Sequence, residues 1–156
     1  MNIFVLDEDP KKAASMSCDK HVVKMVLETA QILCSALDRH GVSDTLYRPT
    51  HKKHPCTLWA GDSRANFMWL IEHGLALSKE YTARYGKTHK SQRVIEWCAE
   101  FADSIPGEGR TPFAQAMPDQ YKHSDAVKAY RSYYRGEKSA IATWKTKQPS
   151  WWKKNP

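Results

Sequence analysis

Apolar residues recur at three- and four-residue spacing along most of this chain, the signature of amphipathic helices. Over residues 19–39, Val22, Val23, Val26, Leu27, Ala30, Leu33, Cys34 and Leu37 form a broad apolar stripe, and His40 with Gly41 supplies the stop. This pattern predicts a core helix. A second long helix is predicted over 62–85, capped by Asp62, running through Phe67, Leu70, Ile71, Gly74, Leu77 and Tyr81, and stopped by Gly86. A third covers 91–104. Ser124 can cap a fourth over 125–135, ended by Gly136, and a further short helix is expected through Trp144.

Between these elements the punctuation is clear. Residues 3–6 are β-prone, and Asp9 followed by Pro10 reads as the cap and first-turn proline of a brief helix. Residues 41–56 are polar, contain Pro49 and Pro55, and read as a loop ending at His54-Pro55-Cys56. Residues 105–123 hold three prolines and two glycines, so a structured loop is expected there. The expected fold is all-α, one domain over 1–156, packed as a small irregular bundle of four to six helices. At 156 residues the chain can bury roughly two thirds of its unfolded surface, enough for a core without disulfide or metal staples.

Composition narrows the class. A content of 41% hydrophobic and 11% aromatic residues argues against disorder, and no apolar run reaches the roughly 18 to 20 residues that span a bilayer. The N-terminus lacks a basic region and meets acids from position 7, so it does not read as a secretory signal; the chain is expected to stay in the cytoplasm. Cys18, Cys34, Cys56 and Cys98 form no C-x-x-C pair and read as reduced thiols, Cys34 and Cys98 as small core residues. The charge changes the picture more. Residues 1–120 carry 15 basic and 15 acidic side chains, whereas residues 121–156 carry nine basic and two acidic, so the whole net charge of +7 lies in the last 36 residues. Tyr121, Tyr130, Tyr133, Tyr134, Trp144, Trp151 and Trp152 are interleaved with those cations. Phosphate-seeking charge beside stackable rings favours a nucleic acid, although a solvated basic helix with core aromatics gives the same pattern.

Two constellations are candidates for chemistry. On the first long helix His21, Lys24 and Glu28 share one side at i, i+3, i+7, with Lys20 one turn from Lys24. Glu28 lies mid-helix among apolar neighbours, where partial burial suits a general acid or base, or a stabiliser of a sugar cation. On the second, Asp62, Asn66, Trp69 and His73 follow i, i+4, i+7, i+11, continued by Glu80, Arg84 and Lys87, a polar face studded with a tryptophan. Amphipathic helices carry such stripes for purely structural reasons too. His51, His54, Cys56, His73 and His89 make no recognised zinc spacing, no carboxylate cluster suggests magnesium, and no nucleotide-binding or hydrolase signature occurs, so neither metal nor cofactor is expected.

Three segments together resemble the phage pyrimidine dimer DNA glycosylases, the small helical enzymes of the endonuclease V type. D-K-H-V-V-K-M-V-L-E is similar to the family's helix that opens with an acid and a histidine and carries the catalytic glutamate two turns later. The stretch from H-P-C-T-L-W to A-R-Y-G-K resembles its second helix, and Y-R-S-Y-Y-R-G-E-K-S-A-I resembles the aromatic, basic segment laid on DNA. The resemblance places His21 and Glu28 on the family's catalytic positions, and Lys24, on the same helix face, is expected to act with them. The expected DNA contacts are Lys20, His54, Trp59, Arg64, Asn66, Trp69, His73, Arg84, Lys87, Tyr130, Arg131, Tyr134 and Lys138, and the resemblance implies as substrate double-stranded DNA with a flipped, damaged or modified pyrimidine. Family members attack the sugar C1′ with the α-amine freed by removal of the initiator methionine. Here residue 2 is Asn, whose bulk normally blocks that removal, so either Met1 supplies the amine or the lyase step is absent. Two other readings stay open. One is a transferase that displaces pyrophosphate from modified thymine, with Glu28 as base and Lys24, Arg64 or Arg84 on the leaving group; the other is a non-catalytic nucleic-acid binding module.

Overall fold

The computed structural model describes residues 1–153; Lys154, counted among the C-terminal cations, lies outside the described residues. Six α-helices and no strand occur among those residues, so the fold is all-α. Helix α1 (Pro10–Met16) begins where the sequence predicts, with the Asp9 carboxylate accepting from the Lys11 and Lys12 amides. Helix α2 (Asp19–Arg39) is the central rod. Its buried surface is wider than the predicted stripe: Met25, Thr29, Ile32 and Ala36 are interior, whereas Val23 and Leu27 remain 39% and 40% exposed. The reason is tertiary. Helices α3 (Pro55–Asp62), α4 (Arg64–Tyr85) and α5 (Gln92–Ala99) all pack on α2, enclosing more of its circumference than one amphipathic face accounts for.

Helix α3 corrects the expected boundary. The predicted loop stops at residue 54, where His54 Nδ1 accepts the Cys56 amide at 3.1 Å and Pro55 opens the helix. Asp62 closes α3 rather than capping α4; the extended backbone of Ser63 breaks the rod, and its hydroxyl accepts the Asn66 amide at 3.1 Å. Gly86 ends α4 in the left-handed conformation, as expected. Close approach of α2 and α4 needs Gly74, where an added Cβ would lie 2.8 Å from Thr29 Cγ2.

The rest differs in detail. Helix α5 is shorter than the predicted third helix and is followed by a 3₁₀ turn, Ala102–Ser104. Helix α6 (Ala126–Glu137) is capped by Asp125, not Ser124, and runs through Gly136, whose missing side chain leaves room for the Tyr121 ring. The short helix expected through Trp144 does not form. Residues 139–153 instead fold back over the start of α2: the Asp19 amide donates to Thr143 O (2.8 Å), the Lys145 amide to Asp19 Oδ1 (3.0 Å) and the Trp144 indole to Met16 O (2.9 Å). Residues 3–6 are buried but pair with no strand, and are threaded through the core between α2 and α6. All four cysteines are buried thiols, Cys34 and Cys98 facing each other at 3.7 Å. Among the described residues no helix is long and apolar enough to cross a membrane.

Candidate active site

Burying residues 2–6 dictates where the chain's α-amine goes. Asn2 is the anchor. Its amide donates to Ala116 O at 2.8 Å, and its carbonyl oxygen accepts from the Ile3 amide (2.8 Å) and the Tyr130 hydroxyl (2.9 Å). Held this way, the Met1 ammonium lies 3.0 Å from Glu28 Oε1, both groups being nearly enclosed. Lys24 Nζ approaches Glu28 Oε2 at 3.7 Å from an exposed position one turn away. These groups open onto a cavity of about 310 Å³ that is also lined by Phe4, His21, Met25, His54, Tyr133 and Lys138.

His21 is held as tightly as the amine. Its ring stacks on Phe4 (4.1 Å between centroids, 15° between planes), and Nδ1 lies 2.6 Å from the Tyr134 hydroxyl. Burial, then the nearby Lys138 and Lys24 charges, pushes His21 down to about 3, so the imidazole is neutral at physiological pH. Neutral, it brings no positive charge to the cavity. His54 is lowered as well, chiefly by burial and then by the α-amine. Positive charge at the cavity comes instead from Met1, Lys24 and Lys138, the last placed 5.0 Å above the Tyr133 ring. One buried carboxylate facing three cations suits a phosphate-bearing substrate.

The second predicted constellation turns inward. The Asn66 amide donates to Trp59 O and Thr111 Oγ1, both at 2.8 Å, and its carbonyl oxygen accepts the Thr111 amide at 2.9 Å. The Trp69 indole donates to Glu8 O at 2.9 Å, and buried His73 lies against Pro10 O at 3.0 Å through Nδ1. Trp59 and Trp69 pack edge to face in the core. Arg84 is fully enclosed, bound to Asp19, Glu80 and the carbonyls of Ser15 and Ser17, and Arg64 is folded onto the carbonyls of Asp103 and Ile105. None of these residues lines the cavity, and the bonds of Asn66, Trp69, Arg64 and Arg84 tie them to the fold. Of Lys24, Arg64 and Arg84, the cations expected on a leaving pyrophosphate, only Lys24 lines the cavity. Tyr130 and Tyr134 are fully buried and cannot stack on bases. Lys20 and Lys87 are exposed but do not line the cavity.

The sequence reading missed Phe4 and Ala116, and named Tyr133 only among the C-terminal rings. Phe4 sits in a segment that reads as a strand, and Ala116 lies in the proline-broken loop whose course no periodicity reveals. On the outer face of α6, Lys128, Arg131 and Arg135 join Lys122 and His123 along a groove edged by Tyr121 and Trp151. Arg131 is partly committed to the fold: its Nε donates to Leu6 O at 2.9 Å and its guanidinium pairs with Asp7. Comparison with curated proteins and with solved structures gives no match. A family model does match, over residues 1–93, more than half of the chain and the part that contributes Met1, Phe4, His21, Lys24, Glu28 and His54 to the cavity. That model describes pyrimidine dimer DNA glycosylases, and the chain belongs to this family.

Proposed function

We propose that the cavity takes a damaged pyrimidine nucleotide, flipped from duplex DNA, and that the α-amine of Met1 displaces its base with Glu28 as the proton acceptor. The observation that carries this reading is the 3.0 Å contact between the amine and Glu28 Oε1 at the cavity wall. An ammonium has no lone pair to donate, so it first gives a proton to Glu28. The amine nitrogen then bonds to C1′ as the C1′–N1 bond breaks. The departing pyrimidine keeps that electron pair and takes up the proton that Glu28 received. Glu28, ionised again, also opposes the positive charge that develops on the sugar. Lys24 and Lys138 hold the flanking phosphates, and the outer groove of α6 holds the duplex farther along. The sugar–amine adduct opens to an imine, which is the species strand cleavage needs.

Incubation with a duplex holding one cyclobutane pyrimidine dimer, in the presence of borohydride, tests the proposal. The expected product is a reduced covalent complex whose attachment maps by mass spectrometry to the Met1 nitrogen. Base release without an adduct would assign the nucleophile to water. Neither release nor adduct, with DNA binding intact, would leave the protein a binding module, and pyrophosphate released from modified phage DNA would make it a transferase.

A further inference from the structure

Tyr134 belongs to α6, outside the residues matched by the family model, yet it touches the cavity chemistry through His21. Its ring is fully buried, and its oxygen accepts the Cys18 amide at 3.2 Å. Burial raises its phenol well above the ordinary range, so the hydroxyl keeps its proton. That proton has two places to go: the Cys18 sulfur at 3.6 Å, a weak acceptor, or His21 Nδ1 at 2.6 Å, a strong one. The shorter contact to the better acceptor wins. Nδ1 then carries no proton, and the neutral ring bears its hydrogen on Nε2. Nε2 makes no hydrogen bond to any described residue, and the ring it belongs to lines the cavity. Stacking on Phe4 and the edge contact with Tyr134, 5.3 Å between centroids, fix the plane of the ring.

We infer that Tyr134 is a positioning residue: by donating to His21 Nδ1 it holds the imidazole as an uncharged Nε2–H donor, turned to the cavity for an oxygen acceptor of the bound nucleotide. This rests on the glycosylase reading. The acceptor that gains most charge in that reaction is a carbonyl oxygen of the departing pyrimidine, where a fixed neutral donor acts without first shedding a proton. The groups facing His21 are Lys24 from its own helix, Tyr134 and Tyr133 from α6 with Lys138 just past its end, and the Met1–Glu28 pair and His54 around the cavity. The two lysine charges oppose an imidazolium, and the tyrosine occupies the nitrogen that would have to take the second proton.

Nitrogen-15 NMR of the histidines in the intact protein tests this without any substrate. His21 should show the Nε2–H tautomer with no imidazolium form down to about pH 5. An Nδ1–H tautomer, or titration near 6.5, would overturn the inference. In Tyr134→Phe, which removes the hydroxyl alone, His21 should titrate at higher pH, and kcat on dimer-containing DNA should fall roughly 10-fold with KM within twofold. His21→Gln places an amide N–H where Nε2–H stood and needs no tyrosine, so adding Tyr134→Phe to it should cost little further activity. A full additional loss in the double variant would make Tyr134 merely structural. Absent base release with the tautomer as stated would sink the glycosylase reading and leave the proton placement standing.

Discussion

Helices α2 and α4 each carry a polar row with a histidine in it, yet the two rows meet different fates. On α4, Asn66 has partners for both amide hydrogens and for its oxygen, Trp69 donates to Glu8, and His73, bonded through Nδ1 to Pro10 O, is buried away from the cavity. On α2, Glu28 faces a terminal amine, an exposed lysine and open volume, and His21, engaged through Nδ1, lines the cavity with its other nitrogen unbonded among the described residues. A buried polar group whose bonds are all made within the protein is committed to the fold; one with an unused side beside a cavity is available to a ligand. The contrast sorts these residues in a way their spacing along the helix does not.

The largest expected effect is on the α2 side. Glu28→Gln preserves shape and an acceptor for the Met1 ammonium but removes the base, so turnover and borohydride adduct should fall by about 10² to 10⁴-fold, with circular dichroism unchanged. Retained activity would move Glu28 to the α4 class of structural residues. On the α4 side the effect should appear in stability and its pH dependence. Burial holds His73 down at about 4, so as pH falls below about 6.5 the unfolded chain takes up a proton that the folded chain refuses. Stability is therefore intact above pH 6.5 and declines toward pH 4, by about 3 kcal/mol for this residue. His21 adds a second contribution of the same sign. Denaturant melts across this range should show the decline, and His73→Asn, which keeps a donor near Pro10 O, should make it shallower by about one proton.

Asn66→Ala should cost about 2 kcal/mol, because it strips partners from Trp59 O and the Thr111 amide, while kcat of the folded fraction stays unchanged. A catalytic defect without a stability defect would return α4 to the site. The smallest effect concerns the outer face of α6. Lys128→Ala should lower the slope of log K against log salt for duplex DNA by about 1 without altering the melting temperature. Arg131→Ala should lower both, since its guanidinium also ties α6 to Leu6 and Asp7. Equal behaviour of the two variants would mean that α6 does not divide between holding DNA and holding the fold.

Much was legible from residue order alone, because it depends on neighbours within a turn or two. The all-α class, the span of α2, the Asp9 cap, the Gly86 stop and the pairing of His21, Lys24 and Glu28 on one helix all follow from spacing and local chemistry. So does the concentration of positive charge after residue 120. What the order of residues leaves open is which way each polar row faces, since that is set by how many helices pack on a rod and from which side. Val23 and Leu27 fit the apolar stripe but are half exposed, and Asn66 and His73 look like surface residues but are interior. The same holds for contacts between distant segments. Met1 meets Glu28 only because Asn2 is pinned by Ala116 and Tyr130, more than 100 residues away, and His21 acquires its tautomer from Tyr134. Such contacts form when the core closes over residues 2–6, and no local pattern encodes them.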